Sequence, residues 1–503
     1  MLNNTGSNMS NTKLNIALVS PEFYPLAKTG GLADVVGALS KALSQLGHQV
    51  AVFLPNYRVV QSEYNPQPTS LRPVQIPIGE KQAEAKLKEH SLPGNKSKIY
   101  LIDSLPYFDR QELYRDPKTG VDYKDNDERF ILFSRAVLEF LKALDFKPDV
   151  IHCNEWQSAL VCAYFKTIYQ SDPHFTKAGT LFSIHNLAYQ GVFPKESFSK
   201  LALSQDLYYP MSPFEFFGKL NFLKTGIHYS DLINTVSETY AKEIQTVEYG
   251  CGLQGALKAR STDLYGIVNG VDYSEWSPEL DKLIPTRYGS GRLGDKLKNK
   301  IALFKECRFS VPKLNWPALG MISRLADQKG FDLLAEIASD LLKKELVLVI
   351  LGTGDVRYEK LLKQLEIKFS DRLRAFITFD ERLAHLIEAG GDIFLMPSRY
   401  EPCGLNQLYS LKYGTVPVVR ATGGLADTIQ DYSADGRGTG FSFKEYSSEE
   451  FLKTIERVLT VYRDKAKWEV LQRTGMSQDF SWERSAQKYI GLYHLAIKTK
   501  AKA

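Results

Sequence analysis

At 503 residues the chain is long enough for two large domains or three small ones, each with its own core. A composition of 44% hydrophobic and 24% charged residues is ordinary for a globular protein, and 63 basic against 58 acidic residues leave only +5, too weak and too evenly spread to argue for a nucleic-acid partner. Five scattered cysteines without CxxC spacing, a polar opening dozen residues and no apolar run of bilayer length point to free thiols and a cytoplasmic setting, with no secretion signal and no membrane.

The first apolar run, Leu14 to Ser20, is stopped by Pro21 and predicts a buried strand. A loop with Gly30-Gly31 follows, then a helix expected from Asp34, where Val35, Val36, Leu39, Ala42, Leu43 and Leu46 recur at helical spacing up to Gly47. Residues 49–55 read as the next strand, completing a βαβ unit and seeding a parallel sheet. Its glycine spacing is not G-x-G-x-x-G, which disfavours a dinucleotide ligand. Residues 56–126 are polar and proline-rich and read as an inserted hairpin region.

Alternation resumes with helix 127–144, strand 149–153, helix 156–170, strand 180–186, helix 215–229, and strands 231–237 and 265–269. Residues 276–294 mix Pro, Gly and charge without periodicity and read as an inter-domain linker. A second series follows, with strands at 318–323, 346–351, 374–379, 392–397 and 417–420 and helices at 330–343, 355–369, 381–389 and 405–413. Two such series predict an α/β protein of two doubly wound, Rossmann-like parallel-sheet domains. The expected boundaries are 13–275, 276–480 and a final helix within 481–503 crossing back onto the first domain. Ligands bind such sheets beyond the carboxyl ends of the strands, so the cleft between the domains is the expected site.

The motif residues fall at those ends. The stretch from Pro397 to Tyr409 runs from a strand through a turn holding Glu401 into a Pro-Cys-Gly helix start, whose unpaired N–H groups suit sugar oxygens or phosphate. It continues to Thr422-Gly-Gly-Leu-Ala-Asp427, a hexapeptide also present at Thr29 to Asp34, so each half is expected to use a Gly-Gly loop near a ligand. Arg324 and Lys329 sit at a strand end, where two cations can clamp a diphosphate; Lys28 is a third. His185 follows a strand, and Phe379, read as closing one, can stack a nucleobase. Asp125-Asn-Asp127 has a D-x-D form but no leading strand, and HExxH, P-loop and G-x-S-x-G patterns are missing, so no metal is expected and no hydrolase elbow is present.

Taken together, Lys28 to Val36, His185 to Gly191, Ser323 to Gly330 and the Glu401 stretch with its hexapeptide resemble bacterial glycogen synthase and plant starch synthase, in the family's order and over nearly the whole chain. The resemblance implies two Rossmann-like domains facing across a deep cleft (the GT-B arrangement) and transfer of glucose from ADP-glucose to the non-reducing end of an α-1,4-glucan such as glycogen or a maltooligosaccharide. It also implies retention of configuration and no cofactor or metal, and it leaves oligomerisation open.

Residue by residue, the resemblance assigns Glu401, His185, Arg324 and Lys329 to catalysis. Lys28, Gly30, Gly31 and Asp34 face the donor, Cys403 and Gly404 hold the glucose with Glu401, and Thr422 and Gly423 belong to the same site. Tyr114, Asn186 and Asn269 match further substrate positions, and Phe379 stands where the family often has Tyr against adenine. Glu155 stands where the family has Asp, in Asn154-Glu155-Trp156, which puts its role in question. Tyr409 stands where wider GT-B enzymes carry a second acid. A UDP-glucose transferase, a catalytically silent glucan-binding scaffold and a pyridoxal-phosphate phosphorylase are the alternatives.

Overall fold

The structure, a computed structural model, describes residues 12–501, so the polar opening stretch lies outside it apart from residue 12, as do the last two residues. The chain divides into two units. One runs to Val236 and adds Ala241–Ile267 and the residues from Trp482; the other holds Ser237–Tyr240 and Val268–Ser481.

In the first unit the labelled strands are β1 (Asn15–Val19), β2 (Gln49–Pro55), β3 (Val74–Ile78), β4 (Lys81–His90), β5 (Lys98–Asp103), β6 (Val150–Asn154), β7 (Gly179–Ile184), β8 (Leu232–Thr235) and β9 (Leu264–Gly266). With the short strand Gln67–Pro68 they make a ten-stranded sheet in the order β9-β8-β7-β6-β1-β2-β5-β4. The pairs from β9 to β5 are parallel, and β4 is antiparallel to both β5 and β3. Residues Ile16 to Val19 are fully buried, as a strand covered on both faces requires. The connections leave β1 on one side towards β2 and on the other towards β6, so the topological switch lies at the carboxyl ends of β1 and β6.

The last helix, Trp482–Lys500, packs on β7 and on the helix Gly31–Gln45. A Cβ at Gly179 would stand 2.6 Å from the Ala496 carbonyl carbon, so only glycine lets the helix approach that closely. His152 in β6 bridges Tyr493 of this helix (3.0 Å) and Ser183 of β7, tying the chain's end into the sheet.

The second unit has six parallel strands in the order β12-β11-β10-β13-β14-β15, namely β10 (Ala318–Ile322), β11 (Val347–Leu351), β12 (Leu373–Phe376), β13 (Ile393–Met396), β14 (Val416–Arg420) and β15 (Phe441–Phe443). Period-two alternation divides β11 between two cores. Leu348 and Ile350 join Phe331, Leu334, Ile337, Phe451 and Ile455 on one face, while Val347, Val349 and Leu351 join Leu303, Phe304, Leu386 and Ile387 on the other. Burying each such side chain contributes roughly 1.5–3 kcal/mol, which holds helices on both faces. The switch here lies between β10 and β13.

Several expectations are corrected. The helix expected over 215–229 is a hairpin, Glu215–Phe216 with Lys219–Asn221, before a shorter helix Phe222–Tyr229; Phe217 (φ 49°) and Gly218 (φ 76°) turn the chain left-handed between the strands. Residues 276–294 are not a loose linker. Ile284, Tyr288 and Leu293 are buried with Tyr413 and Met476, and Asp281 binds His385 (2.8 Å) and Tyr413 (2.5 Å). The two units divide at Ile267/Val268, and Val271 N–H donates to Phe480 O (2.7 Å) within the second. Among the described residues no helix is long and apolar enough to cross a membrane.

Candidate active site

At the first switch point, the loop leaving β1 carries Glu22, a buried carboxylate that no motif had singled out. It accepts from Thr29 N–H (2.7 Å), Thr29 Oγ1 (2.6 Å), Gly30 N–H (3.2 Å) and the Tyr114 hydroxyl (2.9 Å). The helix begins at Gly31, three residues before the expected start, so Gly31 and Asp34 are helical and Gly30 is its N-cap. No side chain of the cap residue itself closes this helix. The Gly31 and Leu32 N–H groups have no acceptor among the described residues, leaving donors at the positive end of a helix macrodipole. Lys28 pairs with Asp34 (2.7 Å) on the exposed side of this turn.

Beside it, β6 ends in Asn154, and Glu155 follows it. Glu155 has φ 65°, uncommon for a residue with a side chain and a mark of local strain. Its Oε1 accepts from His185 N–H (2.6 Å) and Asn186 N–H (2.9 Å), so this acid holds the backbone at the end of β7. Burial pushes the Glu155 carboxyl up to about 7, opposed by the Asn186 and His185 amides and reinforced by Glu22. Asn154 gives its own amide to Val19 O (3.2 Å), so its Oδ1 accepts from His185 Nε2 (3.0 Å) and the lone pair of the ring lies on Nδ1. Desolvation draws His185 down to about 4, which keeps it neutral at physiological pH. The Tyr114 hydroxyl is enclosed on Glu22, and burial raises it well above the ordinary tyrosine value. Its role in this structure is therefore to support the turn.

In the second unit the loops after β10 and β13 lie side by side. Gly330 (φ 74°) allows this, since a Cβ there would stand 2.1 Å from Pro397 O, and Arg399 N–H donates to Gln328 O (2.8 Å) across the pair. Lys329 Nζ thereby reaches Glu401 Oε2 at 2.6 Å, and Ser398 Oγ donates to the same oxygen at 3.0 Å. Glu401 is buried and Lys329 largely so, which leaves the pair little screened by water. Lys329 spends one of its three N–H donors here and keeps two.

Cys403 is buried behind Glu401. Burial pushes its thiol up to about 12 against the Asn269 backbone N–H, so it stands as a neutral thiol. Asn269 is itself buried, with its side-chain oxygen unpartnered among the described residues. Gly404 (φ 73°) turns the chain, and Gln407 caps it by donating to Cys403 O (3.0 Å) and Gly404 O (3.1 Å). Thr422 is the N-cap and Gly423 the first residue of the helix Gly423–Thr428.

Arg324 lies two residues beyond β10, exposed, and its guanidinium makes no hydrogen bond or ion pair among the described residues. Phe379 does not close β12, which ends at Phe376; the ring sits three residues further on and is 87% exposed. Asp125 and Asp127 are engaged by Arg110 and Lys200 (2.8 Å each), and no group of three or more His, Cys, Asp or Glu among the described residues is arranged to hold a metal ion.

Each unit thus gathers candidate residues at its own strand ends: Glu22, Gly30, Gly31, Glu155, His185 and Asn186 in the first, Lys329, Glu401, Cys403, Gly404, Asn269 and Gly423 in the second. Two Rossmann-like units with an acid, cations and helix N-termini at their strand ends are consistent with the GT-B class of glycosyltransferases. The comparisons narrow this class. Residues 15–259 match the family described as starch synthase catalytic domain, and residues 305–470 match glycosyl transferases group 1.

A glycogen synthase of Koribacter versatilis is 47% identical over 489 residues, covering 97% of this chain and 99% of its own. One of Thermosipho africanus is 45% identical, covering 97% and 100%. The solved catalytic domain of starch synthase IV from Arabidopsis thaliana, bound to ADP and acarbose, superposes with a TM-score of 0.86 at 33% identity over 97% of this chain and all of that one. Sucrose-phosphate synthase from Thermosynechococcus elongatus shares only the fold, with a TM-score of 0.59 at 17% identity and 96% and 99% coverage. The chain belongs to the glycogen synthase family and is a glucosyltransferase.

Proposed function

We propose that the chain lengthens an α-1,4-glucan by transferring glucose from ADP-glucose to its non-reducing end with retention and without a metal. The observation that carries this is the Lys329–Glu401 pair, an acid and a cation held within 2.6 Å at the switch point of the second sheet. The ADP and acarbose in the starch synthase IV structure support a nucleoside diphosphate and a glucan-site ligand. A cytoplasmic setting belongs to the same reading.

In this mechanism the glucosyl C1–O bond to phosphate breaks as the acceptor hydroxyl oxygen bonds to C1 from the same face, and the hydroxyl proton passes to the departing phosphate. Negative charge grows on the diphosphate, where Arg324 and the two spare donors of Lys329 stabilise it; preorganised charge of this kind is usually the largest catalytic contribution. Glu401, oriented by Lys329 and Ser398, holds the glucose hydroxyls, and neutral His185 offers a hydrogen bond without adding charge. Covalent double displacement is the rival mechanism, and a trapped glucosyl-enzyme in the unmodified protein would establish it.

The test is nucleoside diphosphate release with glycogen as acceptor, in chelator, from ADP-glucose and UDP-glucose separately. ADP release with an α-linked product is the expected result. UDP release alone would replace the donor, and no release from folded protein that still binds glycogen would favour a silent scaffold.

A further inference from the structure

The Gly30-Gly31 turn is organised by an acid eight residues before it. Ser20 Oγ donates to Glu22 O (2.7 Å) and accepts from Glu22 N–H (3.3 Å), fixing the Glu22 backbone at the end of β1. Phe23 and Ala27 exchange two backbone bonds of 2.9 Å, which stiffens the loop between Glu22 and the turn. The carboxylate then takes three donors from Thr29 and Gly30 and a fourth from Tyr114, a residue 92 positions away in the inserted region. It satisfies amides next to the helix start that the glycine cap cannot, and leaves those of Gly31 and Leu32 without an acceptor among the described residues. A carboxylate with four donors is well placed to hold one geometry, because each oxygen is shared between groups that would otherwise move independently.

We propose that Glu22 is a positioning residue for the transfer reaction: it holds the Gly30-Gly31 turn in the geometry that receives the sugar nucleotide, and Tyr114 links that turn to the inserted region. The proposal rests on the donor reading above for its kinetic consequence and on hydrogen bonds alone for its structural one. A glutamine at 22 keeps the size but replaces one accepting oxygen with a donating amide, which cannot accept from Thr29 or Gly30. Loss of Tyr114's hydroxyl removes a single bond.

The experiment compares wild type, Glu22→Gln, Glu22→Asp and Tyr114→Phe by amide hydrogen exchange over residues 24–34 and by steady-state kinetics in ADP-glucose, well below each protein's Tm. The expected result is faster exchange at Thr29 and Gly30 in Glu22→Gln, with a donor KM raised about tenfold or more while Km for glycogen is unchanged. Tyr114→Phe should show about threefold in the same direction, and Glu22→Asp should recover part of the loss. Unchanged exchange would overturn the proposal, as would faster exchange with wild-type donor kinetics, or equal changes for donor and acceptor. The exchange arm decides whether Glu22 holds the turn even for a protein inactive with both sugar nucleotides, an outcome that would sink the donor reading separately.

Discussion

The hexapeptide Thr-Gly-Gly-Leu-Ala-Asp occurs once in each unit, and both copies open a helix after a strand, yet the glycines answer to different demands. In the second copy Gly423 has φ 46°, and a Cβ on it would stand 2.0 Å from Glu401 O; one on Gly424 would stand 2.2 Å from Cys403 O. Gly424 N–H donates to Glu401 O and Pro402 O (3.1 Å each), so this pair lets a helix start press against the backbone that carries Glu401. In the first copy Gly30 is extended, at φ −161°, and a Cβ on it would meet nothing within 4 Å. The protein itself does not require glycine there. Gly30 thus leaves open space at the turn, whereas Gly423 and Gly424 make room for the protein's own backbone.

Substitutions at the two pairs separate these demands. Gly424→Ala should cost on the order of 3 kcal/mol in urea unfolding, since overpacking against backbone cannot be relieved by a rotamer change, and it should lower activity by displacing Glu401. A wild-type midpoint would end the contrast. Gly30→Ala should leave stability within about 1 kcal/mol, the range for a cap substitution. Its donor KM should rise about tenfold, roughly 1.4 kcal/mol, when initial rates are measured against ADP-glucose. Phe379→Ala should leave the melting curve unchanged and weaken ADP binding several-fold by calorimetry, because the ring is exposed and a lost base stack is worth about 1 kcal/mol or somewhat more.

A further expected outcome is a pH dependence. Glu155, held up to about 7 against an ordinary 4.5, takes up a proton on folding between those values, so its contribution to stability is lost as pH rises through 7. His185, drawn down to about 4 from 6.5, has the opposite sign, and its contribution is lost as pH falls through 4. The two slopes oppose each other between pH 4.5 and 6.5. The Tm of wild type minus that of Glu155→Gln should therefore fall from pH 5 to about pH 7 and level off above it, and a constant difference would show that Glu155 titrates normally.

Much of the parallel-sheet pattern was legible because strands buried on both faces leave apolar runs of fixed length, as at 49–55. His185 was legible because it follows such a run directly, and Lys329 and Glu401 because they lie in the loops that such runs feed. What escaped depends on distant partners. Residues 276–294 look like a linker until Asp281 meets His385 and Tyr413, more than a hundred positions on. The helix expected over 215–229 looked continuous because its apolar residues come from a hairpin and a helix joined in sequence. Helices Lys296–Glu306, Ser448–Arg463 and Lys465–Met476 lie outside the elements expected from the sequence. Glu22 carried only one local signal, an acid two residues beyond a buried strand end, and its four donors become visible only in three dimensions.

The most direct test of the account is ADP release from ADP-glucose by Glu401→Ala beside wild type, with ADP affinity measured on both. The account predicts that release collapses by about a thousandfold, roughly 4 kcal/mol of lost transition-state stabilisation, while the variant folds and still binds ADP. Release by the folded variant near the wild-type rate would contradict it.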